Sequence, residues 1–292
     1  MRVLVTGGTG TVGSGVVGEL LKRGAEVSVL TRDAAKASRL PAGVRAVEGN
    51  LLDPATVRSA FDGCDALFLL NQVSPTEAQE GLMAVCGAMQ SEVGHVVYLS
   101  VHDVDQAAYL PHFGCKLAVE EALDAADIPN TVLRPNNFYQ NDYWFKDAML
   151  QHGVYPQPIG SAGLSRVDVR DIAEVAAVVL TTEGHDGEIY DLVGPEVLTA
   201  ESTVATWSEA LGRELVYGGE DMDAWERQNA QYLPAAVAYD FRLMYEYFQR
   251  EGLRASDEAI ERQTELLGHP PRDFASFARE TAAAWLDRSG GG

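Results

Sequence analysis

Arg2-Val3-Leu4-Val5-Thr6-Gly7-Gly8-Thr9-Gly10-Thr11-Val12-Gly13 decides the fold. A short apolar run with β character breaks into a glycine-dense turn, and from Ser14 to Arg23 apolar side chains recur at helical spacing until Gly24 stops them. A second β-rich run, Ala25 to Leu30, follows at once, so the first thirty residues have the order and length of a βαβ unit. The turn satisfies G-x-G-x-x-G counted from Gly8 and G-x-x-G-x-x-G counted from Gly7. Without Cβ atoms the backbone turns tightly and approaches a pyrophosphate, and amides at the start of the helix receive its negative charge. Gly7, Thr9, Gly10, Thr11, Val12 and Gly13 are therefore candidate phosphate-binding residues. A glycine turn without a ligand is the alternative, and the strand-turn-helix context argues against it.

The alternation continues outward. Val44 to Val47, Ala66 to Leu70, His95 to Leu99 and Thr131 to Leu133 read as strands, separated by helix-like stretches near Ala55 to Phe61, Thr76 to Ser91 and Lys116 to Ala126. Such alternation predicts an α/β fold with a Rossmann-like, doubly wound parallel sheet, whose ligand crevice lies at the carboxyl ends of the strands. Beyond Pro135 the rhythm weakens through Gly153, Pro156, Pro158 and Gly160, then returns as a helix from Asp168 to Leu180 and a strand from Ile189 to Val193. The expected division is a core of residues 1–135 completed by 165–195. Residues 136–164 and 196–288 form a smaller, mostly helical substrate lobe, and Ser289 to Gly292 a flexible end. Asp221 to Phe248 is crowded with large apolar groups, Trp225 among them, as suits a lid over the strand ends or simply that lobe's own core.

Composition narrows the partners. The chain has 292 residues, 46% of them hydrophobic and 22% charged, which excludes a disordered or fibrous protein. Its 43 acidic against 22 basic residues give a net charge of -21, which repels phosphate backbones and anionic lipid, so neither nucleic acid nor membrane is expected as a partner. No apolar run approaches the roughly 20 residues of a membrane helix, and no signal peptide is recognised. Cys64, Cys86 and Cys115 lack the paired spacing of disulfide or zinc frameworks, which favours a reduced cytoplasmic setting. A homodimer is the base-rate expectation.

The end of the second strand selects among dinucleotides. An acid there bonds the ribose 2'-hydroxyl of NAD, and an Arg receives the 2'-phosphate of NADP. This chain has Thr31-Arg32-Asp33, with Lys36 one helical turn on. Arg32 and Lys36 make NADP(H) the expected cofactor. NAD(H) is the alternative, since Asp33 can take the ribose, although its place before Ala34-Ala35-Lys36 also suits a helix N-cap.

With these motifs assembled, the chain resembles the NmrA-like and isoflavone-reductase-like branch of the atypical short-chain dehydrogenases/reductases. The resemblance covers nearly the whole chain and includes Gly49-Asn50-Leu51-Leu52-Asp53, Val97-Tyr98-Leu99-Ser100, His112-Phe113-Gly114-Cys115-Lys116, Leu133-Arg134-Pro135-Asn136-Asn137-Phe138 and Val167 to Ala173. It implies that Asn50 and Leu51 line the adenine, that Leu70 and Asn71 pass under the ribose, and that the segment with Asn136 and Phe138 borders the nicotinamide. It also implies a C-terminal substrate pocket. Members of the family include quinone and phenylpropanoid reductases as well as proteins that bind the dinucleotide only as redox sensors.

Tyr-dependent members of the wider family use a Tyr-x-x-x-Lys pair. Here Lys116 occupies the Lys position and His112 stands where Tyr would be, a departure that leaves the proton donor open. Four residues apart on a helix, the two share a face. Hydride transfer to a carbonyl, quinone or conjugated alkene leaves negative charge on an oxygen, which Lys116 can stabilise and His112 can protonate. A surface ion pair of Lys116 with Glu120 is the plain alternative. Ser100 and His102 end the preceding strand, near the nicotinamide by fold logic and equally readable as a solvated strand end. Tyr139, Tyr143 and Trp144, with Phe145, can wall a pocket for a flat substrate, or pack the lobe. The expectation is an NADPH-dependent reductase of a small apolar or aromatic acceptor such as a quinone, azo compound or enone. A non-catalytic NADP(H) sensor acting through a protein partner is the rival. An epimerase retaining bound NAD is a third reading that the missing Tyr disfavours.

Overall fold

A computed structural model describes residues 1–289. They divide into two compact units: Met1–Pro135 with Val169–Leu192, and Asn136–Asp168 with the chain from Val193 onward.

The first unit runs β1 (Arg2–Thr6), α1 (Thr11–Lys22), β2 (Glu26–Thr31), α2 (Ala34–Ala37), β3 (Arg45–Glu48), α3 (Pro54–Phe61), β4 (Ala66–Leu69), α4 (Glu77–Gln90), β5 (His95–Leu99), α5 (Pro111–Ala125) and β6 (Asn130–Pro135). After the excursion that holds β7 (Val154–Tyr155), the chain returns as α6 (Val169–Thr181) and β8 (Ile189–Leu192). Seven strands form a sheet in the order β3-β2-β1-β4-β5-β6-β8, every pair parallel. All four residues of β4 are buried, as a sheet covered on both faces requires. The winding reverses between β1 and β4, which opens a crevice at their carboxyl ends. Thr6 ties the two strands there: its Oγ1 donates to Leu70 O at 2.8 Å and accepts from Leu70 N at 2.7 Å.

Two local signals fix elements that matter below. Asp53 caps α3, accepting from Ala55 N at 3.0 Å and Thr56 N at 3.3 Å, with Pro54 in the first turn where its missing N–H costs nothing. The expected helix Lys116 to Ala126 begins earlier, at Pro111, for the same reason, so His112 and Lys116 do ride on one helix. The apolar core between sheet and helices includes Leu4, Phe61, Leu67, Val96, Tyr98 and Leu123.

The second unit begins with a 3-10 segment, Tyr139–Phe145, and a π-helical turn, Ala148–His152, closed by Gly153 at φ 67°. Strand β7 pairs in parallel with β9 (Val216–Tyr217). Around them lie α7 (Ala200–Leu211), α8 (Met222–Asn229), α9 (Ala235–Glu251), α10 (Asp257–Leu267) and α11 (Phe274–Ser289). The apolar run Asp221 to Phe248 is thus two helices, broken where Pro234 precedes α9. Trp207 stacks on Trp285, 5.1 Å between ring centres, at the heart of this unit's core. Ser289 belongs to α11, and the rest of the expected flexible end, Gly290 to Gly292, lies outside the described residues. Among the described residues no helix is long and apolar enough to cross a membrane.

Candidate active site

The glycine turn is built by three exclusions. Gly7 sits at φ +66°, and a Cβ there would lie 2.5 Å from Leu70 Cδ2. At Gly8 it would meet Val29 at 2.7 Å, and at Gly13 the main-chain oxygen of Gly7 at 2.3 Å, where no side chain can give way. Gly10 N donates to Gly7 O at 2.9 Å and Gly10 then caps α1 without any side chain bonding the first-turn amides. The positive end of α1 is therefore left to a ligand. Thr11, Val12 and Gly13 form that first turn, Val12 and Gly13 buried.

A cleft of about 250 Å³ opens in front of the turn. It brings together Gly7, Thr9 and Gly10 with Arg32 after β2, Lys36 of α2, Asn50 and Leu51 after β3, and Leu70 and Asn71 after β4. Asp33 lines it too, but its carboxylate accepts from Ala35 N at 2.8 Å and caps α2. Arg32 is half-exposed, its Nη1 3.9 Å from Oε1 of Glu80, a buried residue of α4 that also accepts from Thr76 Oγ1 at 2.9 Å. The cleft thus offers a glycine-rich turn under a helix dipole and two cations beyond the end of β2, a donor set that fits a dinucleotide carrying an extra ribose phosphate.

Asn71 joins this cleft to a second group. Lys116 is buried, and its Nζ donates to Asn71 O at 3.1 Å and Asn71 Oδ1 at 3.3 Å. The same Nζ lies 3.1 Å from Glu77 Oε1 and 5.4 Å from the centre of the Tyr98 ring. His112 Nδ1 is 2.9 Å from Glu77 Oε2. Burial pulls the Lys116 pKa below its usual value, and Glu77 opposes that pull without cancelling it. Burial also pushes the Tyr98 phenol well up, so Tyr98 stays neutral. The surface pair of Lys116 with Glu120 does not form. Glu120 instead accepts from Ser100 Oγ and from Arg134, at 3.2 Å from Nε and 2.6 Å from Nη2. Sequence reasoning missed Glu77 and Glu80, because acids in the first turn of a helix are what any helix start attracts.

Ser100 is buried and held by Glu120, while His102, also buried, donates its main-chain N–H to Pro135 O at 3.0 Å and brings its ring 3.9 Å from Asp191. In the second unit Asn136 Nδ2 donates to Leu253 O at 2.8 Å, and Phe138 O accepts from Arg166 Nη2 at 2.8 Å. The aromatic residues after Pro135 do not form one wall. In a 3-10 segment residues three apart share a side, so Tyr139, Asp142 and Phe145 turn inward. Tyr143 stacks on Phe277 at 5.8 Å, and Trp144 is 72% exposed. Trp225 packs edge-on against Tyr245.

Comparison with known proteins follows the same outline. Residues 1–278 match the NmrA-like family. The NAD(P)H azoreductase of Xenophilus azovorans is 31% identical over 287 residues, 97% of this chain and 99% of that protein. The (4-alkanoyl-5-oxo-2,5-dihydrofuran-3-yl)methyl phosphate reductase of Streptomyces griseus subsp. griseus is 34% identical over 284 residues, with 97% and 99% covered. The NADPH-dependent quinone oxidoreductase of Escherichia coli, solved with NADPH, shares the fold at a TM-score of 0.85 and 24% identity, covering 96% of this chain and 99% of that one. The chain belongs to the NmrA-like family.

Proposed function

We propose that this chain is an NADPH-dependent reductase that delivers hydride to a small apolar or aromatic acceptor of the quinone, azo or enone class. The observation that carries the reading is Asn71, which lines the cleft in front of the glycine turn and at the same time accepts from the buried ammonium of Lys116. Relatives that match end to end are named as an NAD(P)H azoreductase and a (4-alkanoyl-5-oxo-2,5-dihydrofuran-3-yl)methyl phosphate reductase, which supports the reductase class.

The residues have distinct tasks. The amides of the Gly7–Gly10 turn and of the start of α1 hold the pyrophosphate, Arg32 and Lys36 the ribose phosphate, and Asn50 and Leu51 the adenine edge. When bound, the reduced nicotinamide supplies the hydride. Lys116 stabilises the negative charge that gathers on the acceptor oxygen, or nitrogen in an azo compound, and does so at low dielectric, where a cation is worth more than in water. His112, four residues back on α5, gives the proton that completes the reduction.

The test is NADPH oxidation by the purified protein with quinones, azo dyes and cyclic enones, run beside Lys116→Met. Turnover is expected to fall by roughly 10²- to 10³-fold in the variant, while NADPH still binds. If wild type binds NADPH and reduces no member of the panel, the reductase reading fails and a non-catalytic sensor takes its place.

A further inference from the structure

We infer that Glu77 is a positioning residue of this reaction, its carboxylate holding Lys116 as an ammonium and His112 with its proton on Nδ1. The inference rests on the reductase reading and adds to it a residue that neither glycine motif nor Tyr-Lys spacing points to.

Glu77 opens α4, and its side chain is 1% exposed. Its two oxygens are divided between the two proposed reacting groups: Oε1 lies 3.1 Å from Lys116 Nζ and Oε2 2.9 Å from His112 Nδ1. The main chain of Glu77 is fixed as well, because Asn71 Nδ2 donates to Glu77 O at 2.7 Å while Asn71 itself accepts from Lys116. Lys116, Asn71 and Glu77 thereby close a ring that ties the end of β4 to α4 and α5. A carboxylate buried beside an ammonium stays ionised, and an ionised carboxylate only accepts. His112 must then carry its proton on Nδ1, which makes Nε2 the nitrogen that exchanges a proton in catalysis.

The charges that face Lys116 leave Glu77 as its effective counterion. From α4 it meets Glu77, and from β5 Tyr98, whose phenol burial keeps neutral. From its own helix it feels Cys115 and Glu120, and Glu120 is already engaged by Arg134 of β6 at 2.6 Å. Burial of Lys116 favours loss of its proton, and among these groups Glu77 opposes that loss most.

Glu77→Gln keeps the shape and removes the charge. The chain's lysines are Lys22, Lys36, Lys116 and Lys146, so the Lys116 side-chain carbon signals can be assigned in lysine-labelled, ligand-free protein with Lys116→Arg as the reference. The titration midpoint of Lys116 is expected to fall by about one pH unit or more in Glu77→Gln, a tenfold or greater loss of proton affinity. The alkaline limb of kcat for NADPH-dependent reduction is expected to move to lower pH with it, while NADPH affinity changes less than threefold. A purely structural role would lower the melting temperature and leave both midpoints in place. Glu77→Asp retains the charge one methylene further back, so a smaller shift in the same direction is expected, and it carries the test if Glu77→Gln does not fold. An unmoved Lys116 midpoint in the variants overturns the inference whatever the activity. Failure of the wild-type protein to oxidise NADPH overturns the reading beneath it, and the two failures appear in separate experiments.

Discussion

Each unit of the molecule buries a cation against a carboxylate, and the two pairs are built to opposite ends. In the second unit Arg166 and Asp142 are both fully buried, 2.8 Å apart, and saturated. Arg166 donates to Asp142, to Asn137 Oδ1 at 2.9 Å and to Phe138 O at 2.8 Å, while Asp142 also accepts from Trp207 Nε1 at 2.8 Å and Tyr155 Oη at 2.9 Å. Burial works against the Arg166 charge, but Asp142 outweighs it and holds the pKa above its already high usual value. In the first unit Lys116 has Glu77 and two oxygens of Asn71, and there burial wins in part. A guanidinium does not give up its proton, whereas an ammonium can. The guanidinium pair is a structural clamp on the segment after Pro135, and the ammonium pair keeps a proton at issue where chemistry needs one.

Removing one partner should separate the pairs most clearly. Asp142→Ala strands the Arg166 charge among Tyr155, Trp207 and Phe274, and is expected to cost about 3–5 kcal/mol of unfolding free energy. Glu77→Gln, beside a cation that can discharge, should cost distinctly less. Urea denaturation of both variants measures this, and equal costs would erase the distinction between clamp and reactive pair.

The same contrast explains what was legible in the sequence. The sheet was, because Leu4, Leu67 and Val96 sit in continuous apolar runs and Gly7 to Gly13 can form nothing else so compactly. The cleft was in part: Arg32 directly follows a strand that the alternation marks out, with Lys36 one helical turn on, whereas Asn50 and Asn71 came only from the family resemblance; all four line the same cleft. The partners were not. Glu77 lies 35 positions from His112, and Arg166 lies 24 from Asp142. No local period links such residues, and they meet only because helices and turns bring them to one point. The aromatic run after Pro135 stayed open between substrate wall and lobe packing for a related reason: at three residues per turn it sends Tyr139 inward and Trp144 outward, a division composition does not carry.

Arg32 and Glu80 make a looser cation–carboxylate pair, longer at 3.9 Å and with the cation half in water. Such a pair adds little to stability and leaves Arg32 available to a phosphate. Arg32→Ala is therefore expected to weaken NADPH binding by roughly 10- to 100-fold, the worth of hydrogen bonds to a charged group. NADH affinity and unfolding free energy should stay within about 0.5 kcal/mol of wild type. Calorimetric titration with both nucleotides reads the split. An equal loss for the two would move Arg32 from the ribose phosphate to the shared part of the dinucleotide.

The smallest effect lies at the opposite ends of the strands, where a polar group is half-buried with no countercharge in contact. His95 Nε2 is 2.9 Å from Thr131 Oγ1, and that hydroxyl already donates to His185 O at 2.5 Å. The ring must therefore donate, so neutral His95 carries its proton on Nε2. Burial lowers its pKa from 6.5, and Asp186 only partly offsets this. Here the sign is opposite to that of a paired histidine. Above about pH 6.5 neither the folded nor the unfolded chain protonates this site, and His95 contributes no pH dependence. As pH falls through 6.5 the unfolded chain takes up the proton first, so stability declines until the lowered folded-state pKa is passed. His185, also shifted down by burial, adds in the same direction. His95→Gln retains a donor to Thr131 and cannot titrate, so thermal melting across this range should show a shallower acid-side decline than in wild type. Parallel profiles would mean that His95 is solvated in the folded chain, and that the sheet's amino ends tolerate the charge its carboxyl ends need Glu77 to hold.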